Sequence, residues 1–421
     1  MFRFLHAADL HLDSPLRGLQ RYDGCPADEI RRASRRALQN LVQLAIAEQV
    51  AFVLIAGDLY DGDLTDYGPC LFLNEQMIHL REARIQVFMI QGNHDAASIQ
   101  TKHLRLPENV QRLATDRPET RRLEAFDVMI HGQGFASRSV TENLARAYPD
   151  PIAGTFNVGL LHTSVTGREG HENYAPCTVE QLRLKGYDYW ALGHVHQAET
   201  LHDDPPIVFP GNLQGRHIRE SGAKGAVLVS VEGGCVISRE HRSLDVMRWA
   251  VCTVDATGAA TEDDLVDRAR HRLTTLAASS EGRPVVARVA FHGACSAHDR
   301  LGGRLEKLSA EVRREARDVD GGRLWIEKVS VRTRPERVDP ALDGPIRAVR
   351  DYLERLRADP TELLKIGQRE LSDLKKKLPR NWEDGMGRRS IDALEGLTEA
   401  LDHVGPELLA GLSGANGEVH S

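Results

Sequence analysis

The stretch YWALGHVHQ, residues 189–197, runs a short apolar and aromatic segment into a glycine and then sets His194 and His196 either side of one valine. Alone it has a plain structural reading, because two neutral imidazoles can simply hydrogen-bond at the end of a buried strand. It decides the fold only when set beside four other stretches built the same way. These are FRFLHAADLH (2–11), AFVLIAGDLYD (51–61), IQVFMIQGNHD (85–95) and FNVGLLHTS (156–164). Each is an apolar run of strand length that ends in Asp, His or Asn.

Helical patterns separate these runs. Ile30, Ala33, Ala37, Leu41 and Leu44 recur at three- and four-residue steps, a second helical stretch spans about 69–82, and a third lies near 178–185. Alternation of strand and helix with fully apolar strands predicts an α/β core whose strands are buried on both faces. Ligands of such folds gather outside the carboxyl ends of the strands, so the five polar ends should converge although they span nearly 190 residues. Asp9 and His11 are two apart, as are His194 and His196, and in extended chain each pair points to one side.

The converging groups are Asp9, His11, Asp58, Asn93, His162, His194 and His196. Carboxylate, imidazole and amide oxygen without thiolate suit Mn²⁺, Fe²⁺ or Zn²⁺, and seven donors are too many for one catalytic ion that keeps an open position. Two ions sharing a carboxylate would use them all. A pair about 3.5–4 Å apart serves in-line displacement at phosphorus.

The ordered blocks D-x-H, G-D, G-N-H-D, H and G-H-x-H resemble the calcineurin-like metallophosphoesterase superfamily. That resemblance implies a two-sheet α/β sandwich with flanking helices. It also implies two divalent ions, Mn²⁺ being the expected one: Asp9, His11, Asp58 and His196 around the first, and Asp58, Asn93, His162 and His194 around the second. His94 would stabilise or protonate the leaving oxygen, with Asp95 helping to orient it. The plain alternatives are a stacked structural histidine and a helix N-cap.

AADLHLDSP, HTSVTGREGHENYAPC, GYDYWALGHVHQ and FPGNLQGRHIRE look like the DNA-repair exonuclease branch of the YhaO and SbcD type, over residues 1–250. The implied activity is metal-dependent hydrolysis of DNA phosphodiesters, as the nuclease subunit beside an SbcC-like coiled-coil ATPase. A homodimer is compatible with it. Archaeal and eukaryotic relatives carry a histidine three residues after the bridging aspartate, where this chain has Asp61. A small-molecule or phosphoprotein phosphatase, and a partner-anchoring subunit without activity, are the competing functions.

Composition bounds these readings. The 421 residues are 41% hydrophobic and 27% charged, enough for two or three domains with sizeable cores. The formal net charge of −7 offers no global basic field for DNA, so a polyanion must be held locally or by a partner. Arg216, His217 and Arg219, following the last metal block, are the candidate phosphate contacts, although arginines on a loop are commonly just solvated. RRASRR (31–36) reads as a solvated helix face. Six scattered cysteines without a C-x-x-C pair, and no signal or membrane-spanning run, predict reduced thiols in a cytoplasmic protein.

The predicted organisation is a metallophosphoesterase domain over 1–255, an α+β capping domain over 256–334, a helical partner-binding region over 335–412 and a mobile tail over 413–421. Short β-type segments over 206–254 should complete a second sheet of the first domain, and RTRPERVDP (332–340) should be a linker. The helical region carries apolar stripes: Ile346, Val349, Leu353 and Leu356; Leu364, Leu371, Leu374 and Leu378; and Ile391, Leu394, Leu401, Val404 and Leu408. They would either pack on one another or dock the ATPase.

Overall fold

The structure, a computed structural model, describes residues 1–14, 32–61, 67–97, 105–165, 174–301, 304–336 and 345–377, with 394, 396–398, 400–401, 404–405 and 408–409. The tail expected over 413–421 lies outside the described residues, as do Arg31, Leu378 and Ile391. Two compact units divide the chain, Met1–Trp249 and Ala250–Ser421.

In the first unit the expected runs become β1 (Phe2–Ala7), β2 (Phe52–Ala56) and β3 (Gln86–Ile90), joined through helices α1 (Ala33–Ala47) and α2 (Gly68–Glu82). β4 (Val110–Arg112), β5 (Glu119–Leu123) and β6 (Val128–Gly132) follow, then β7 (Phe156–His162), α3 (Val179–Leu184) and β8 (Tyr189–Gly193). Four more strands are β9 (Glu199–Asp203), β10 (Pro206–Phe209), β11 (Gly225–Glu232) and β12 (Cys235–Ser243). They form two six-stranded sheets, ordered β12-β11-β1-β2-β3-β4 and β5-β6-β7-β8-β10-β9.

Strand alternation explains why the runs are continuously apolar. Phe4, Phe52, Leu54, Phe88 and Ile90 of the first sheet face Val128, Val158, Leu160, Tyr189 and Ala191 of the second. Leu5, Ala7, Val53, Ile55, Val87 and Met89 point the other way, onto α1 and α2. Phe4 stacks on Phe52 at 4.8 Å between ring centres, and Phe52 meets Phe88 edge-on at 6.1 Å. His6 crosses the sandwich, bonding the Tyr189 hydroxyl and the Leu192 carbonyl at 3.1 Å each, and burial holds its pKa down at about 3, so it stays neutral.

Only β9 and β10 of the segments over 206–254 and their surroundings extend the second sheet. β11 instead lies antiparallel beside β1 and carries β12 outward, because its apolar residues Val227, Val229 and Val231 complete the inter-sheet core opposite the second sheet.

In the second unit, β13 (Arg248–Asp255), β14 (Val285–Cys295) and β15 (Leu324–Pro335) form a three-stranded sheet in that order. Helices α4 (Glu262–Ser279), α5 (His298–Leu301) and α6 (Leu305–Val319) accompany it. Two boundaries therefore move. β13, assigned by sequence to the first domain, joins the three-stranded sheet, since Cys252 and Val254 bury against Leu265 and Val289 there. The expected linker starts too early, because Arg332–Pro335 still pair with His292–Cys295. Beyond it come α7 (Pro345–Ala358) and α8 (Pro360–Lys377), the break falling at Pro360. The helical stretches meet one another: Leu397 lies against Gly367 of α8, where a Cβ could not fit, and Leu353 of the first stripe lies beside Gly405. No helix among the described residues is long and apolar enough to cross a membrane.

Candidate metal centre

All seven predicted ligands come together at the carboxyl ends of β1, β2, β3, β7 and β8. Asp9, His11 and His196 form one group and Asp58, His162 and His194 another, each with ligand atoms within 4.8 Å of one another. Asn93 joins the second through its Oδ1, 2.9 Å from His162 Nε2. Asp58 Oδ2 stands between the groups, 3.9 Å from His11 Nε2 and 3.5 Å from His162 Nε2.

The ligands are not aimed by strand alternation, as the two-residue spacing had implied. Asp9, His11, Asp58 and His194 have φ of 52°, 42°, 51° and 101°, so the chain has already left the sheet at each of them. His194 and His196 consequently serve different groups. Left-handed backbone costs roughly 1–3 kcal/mol per residue and persists only where surroundings over-determine it. Here they do: Asp9 N donates to Gly57 O (3.0 Å), His11 N to Asp58 O (3.1 Å), and His194 N to both Asp9 carboxylate oxygens (3.1 and 3.0 Å). Gly57, Gly92 and Gly193 let the loops close, because a Cβ on Gly92 would strike the Asp58 carboxylate and one on Gly193 the Ala56 carbonyl.

Hydrogen bonding fixes which nitrogen faces inward. His162 Nδ1 donates to Ala56 O at 2.9 Å, leaving Nε2 as a lone pair towards Asn93 Oδ1 and Asp58 Oδ2. His196 Nδ1 donates to Glu220 Oε1 at 2.7 Å, leaving Nε2 towards His11 Nε2 at 3.2 Å. Burial holds the His162 imidazole down at about 4 and also lowers His11 and His196, so these rings are neutral and could serve as ligands. Burial, with the Asp58 charge, raises Asp9 well above the usual carboxylate range, and burial raises Asp58. Converging lone pairs and carboxylates that burial disfavours as anions are what a divalent cation would satisfy. The donor set fits such ions.

The orienting contact predicted for Asp95 falls to Asp61. His94 Nδ1 lies 3.1 Å from Asp61 Oδ1, and Asp61 also accepts from Ser14 Oγ at 2.7 Å and stands 3.7 Å from His11 Nδ1. Burial works against the Asp61 anion, but bonds from His94 and Ser14 and the nearby His11 and Arg216 outweigh it and hold its pKa low. His94, 30% exposed at the side chain, is shifted upward: burial opposes the charge, yet Asp61 and Asp58 win. Asp95 is wholly buried and accepts from Leu59 N, Tyr60 N and Gly92 N at 2.9, 3.2 and 3.0 Å, so it clamps the β2 and β3 loops together. Burial lifts its pKa to about 7.

Of the candidate phosphate contacts, Arg216 is at the centre. Its Nη2 lies 2.9 Å from Glu220 Oε1 and its Nη1 3.6 Å from Asp61 Oδ1. His217 is half-exposed, 3.5 Å from Glu220, and Arg219 is exposed. Sequence reasoning missed Glu220. It is 5% exposed and accepts from His196, Arg216 and Asn212 Nδ2 (2.9 Å), so it joins a candidate metal ligand to the cation beside it. The available signal was an acid four residues after Arg216 in the same quoted block. Lys224, also buried, caps the His196 carbonyl at 2.7 Å. Arg35 of the RRASRR stretch is not merely solvated: its Nε donates to Asp13 at 2.8 Å and its guanidinium lies over Phe72 at 5.2 Å.

The calcineurin-like phosphoesterase family matches residues 2–198, and a "Metallophosphoesterase YhaO, middle domain" family matches residues 249–334. A curated relative, "Uncharacterized metallophosphoesterase YhaO" of Bacillus subtilis (strain 168), is 35% identical over 298 residues, 69% of this chain and 71% of that protein. The chain belongs to the calcineurin-like metallophosphoesterase family. A second relative of this metallophosphoesterase, "DNA double-strand break repair protein Mre11" of Methanopyrus kandleri, is 26% identical over 306 residues, 64% of this chain and 62% of that protein. The first match spans both ligand groups, and the second begins within β13, where the structure also starts its three-stranded sheet.

Proposed function

We propose that this metallophosphoesterase uses two divalent ions, Mn²⁺ foremost, to hydrolyse DNA phosphodiesters in the cytoplasm, as the nuclease subunit of an SbcCD-like assembly. The observation that carries the two-ion reading is Asp58 Oδ2, one carboxylate oxygen that faces ligands of both groups. When bound, such ions activate water and neutralise charge on the phosphoryl oxygens. The chain's own residues do the rest. Asp61 accepts a hydrogen bond from His94 Nδ1–H, so Nε2 is left to face the leaving oxygen, and the raised pKa keeps a proton there to give. Arg216, fixed by Glu220 and Asp61, holds a cation at the cluster's edge for a substrate phosphate, with His217 and Arg219 outside it.

DNA as substrate is supported by the likeness to a double-strand break repair protein and by a second unit that a minimal phosphatase does not need. An ATPase partner is supported by the exposed Leu394, Val404 and Leu408 of the third apolar stripe. Free Cys70, Cys177, Cys235, Cys252 and Cys295 suit a reducing compartment.

The test incubates linear duplex, single-stranded and hairpin DNA, and a chromogenic phosphodiester, with the purified chain across Mn²⁺, Mg²⁺ and Zn²⁺. DNA cleavage dependent on the ion is expected. A chromogenic phosphomonoester is run alongside: its turnover alone would favour a phosphatase, and no turnover at all a partner-anchoring role.

A further inference from the structure

Between β10 and β11 the chain passes through no helix or strand, yet this stretch carries Arg216 and Glu220. A loop without a ladder must find its backbone partners elsewhere. Within it the bonds are local: Glu220 Oε2 accepts from Arg216 N at 2.7 Å, and Glu220 N donates to His217 O at 2.9 Å. These bonds fix Arg216 to Glu220. They do not set the path of the chain that enters and leaves the pair.

That path is set by residues 246–249 of the same unit. Gln214 Oε1 accepts from Val246 N, and its Nε2 donates to Met247 O, both at 2.9 Å. Trp249 then holds the loop at both ends: its Nε1 donates to Gly215 O at 3.0 Å, and its carbonyl accepts from Gly222 N at 3.0 Å. Gly215 directly precedes Arg216, and Gly222 follows soon after Glu220. The approach leaves no room for a side chain, because a Cβ on Gly215 would lie 3.1 Å from Trp249 Cδ1 and 2.7 Å from the Glu220 carbonyl. Trp249 is 3% exposed, so an indole N–H that lost Gly215 O would be stranded away from water.

We propose that Trp249 is a positioning residue for phosphoester hydrolysis: by gripping the loop at Gly215 and Gly222 it sets Arg216 where a substrate phosphate meets it. The proposal rests on Arg216 being the phosphate contact. The guanidinium stands between two anions, Glu220 at 2.9 Å and Asp61 at 3.6 Å. Asp61 follows β2, whereas Glu220 rides on the Arg216 loop, so a shift at Gly215 would carry Arg216 and its nearest anion away from Asp61 together. The 2.7 Å bond from His196 Nδ1 to Glu220 opposes that shift, which is why a partial loss of phosphate binding is expected and not a total one.

Calorimetry of inorganic phosphate on the Mn²⁺-loaded full chain reads the placement of Arg216 without turnover, and KM and kcat for the chromogenic phosphodiester are measured on the same preparations. Trp249→Phe keeps a ring and loses the donor. Gly215→Ala keeps the indole and wedges the loop away from it. The control, Trp190→Phe, loses a matching buried indole bond, 3.0 Å to Leu182 O. Arg216→Met, which removes the cation and keeps bulk, should weaken phosphate by about tenfold or more. Trp249→Phe and Gly215→Ala should each weaken it by about three- to tenfold, the worth of one hydrogen bond, with KM raised by the same factor, kcat within about twofold of wild type and metal content unchanged. Trp190→Phe should bind phosphate as wild type does. Added to Arg216→Met, Trp249→Phe should weaken phosphate no further, because both act through one contact. Wild-type binding by Trp249→Phe, or by Gly215→Ala should the first variant not fold, overturns the proposal alone, as does equal weakening by Trp190→Phe or an undiminished effect of Trp249→Phe once Arg216 is gone. No phosphate binding by wild type, or binding by Arg216→Met equal to it, overturns Arg216 as the phosphate contact and the proposal with it.

Discussion

At the scale of residues, the site works through side chains that touch ligands as much as through the ligands. His94 does not need to bind an ion to matter: its amide donates to Asp58 Oδ1 at 2.9 Å and its ring is held by Asp61. His94→Gln should therefore keep both ions by elemental analysis and lose on the order of 10²–10⁴ in kcat, the usual worth of a positioned proton donor. Loss of metal instead would assign His94 to the ligand set. Glu220 makes a different case, because it neutralises Arg216 and orients His196 together. Glu220→Ala leaves a largely buried guanidinium with only the more distant Asp61 as its anion and should lower unfolding free energy by about 2–3 kcal/mol in denaturant titrations. Glu220→Gln keeps the shape and a hydrogen-bond acceptor, so its main effect should be a 10–100-fold weaker affinity for Mn²⁺ by calorimetry. Unchanged affinity would reduce Glu220 to a packing role.

At the scale of elements, five strand ends become one site because small residues let their loops close. Gly92 is one such case, its Cα hydrogens sitting against the Asp58 carboxylate and backbone and the His162 ring. Gly92→Ala should cost about 1–3 kcal/mol of stability by overpacking and weaken metal binding, both measurable on the purified variant. A variant with wild-type affinity would show that the loop yields freely. The same elements mark how far the sequence could be read. β1, β2, β3, β7 and β8 are apolar on both faces and stand out as runs. β5 (ETRRL) is an exposed edge with no such run, and β6 (VMIHG) buries His131 on Asn157 and Thr120, so neither carries the pattern. Asp9, His11 and the other ligands were legible from type and position. Their backbone φ and the hub at Glu220 were not, since both depend on contacts between segments up to 185 residues apart.

At the scale of the whole molecule, the first unit carries all seven ligand positions, and the second begins where β13 leaves for the three-stranded sheet. That break was placed six residues late in the sequence reading because β13 continues the run of short strands before it and only its pairing reveals its allegiance. The first unit is organised around Asp58: both sheets supply ligands to the groups it faces, Asp9, His11 and Asn93 from one and His162, His194 and His196 from the other. Elemental analysis of metal-loaded, desalted protein tests this directly. The wild-type chain should retain two Mn²⁺ ions and Asp58→Asn fewer than two, with a circular dichroism spectrum unchanged. Two ions retained by Asp58→Asn, or one by wild type, would contradict a shared carboxylate.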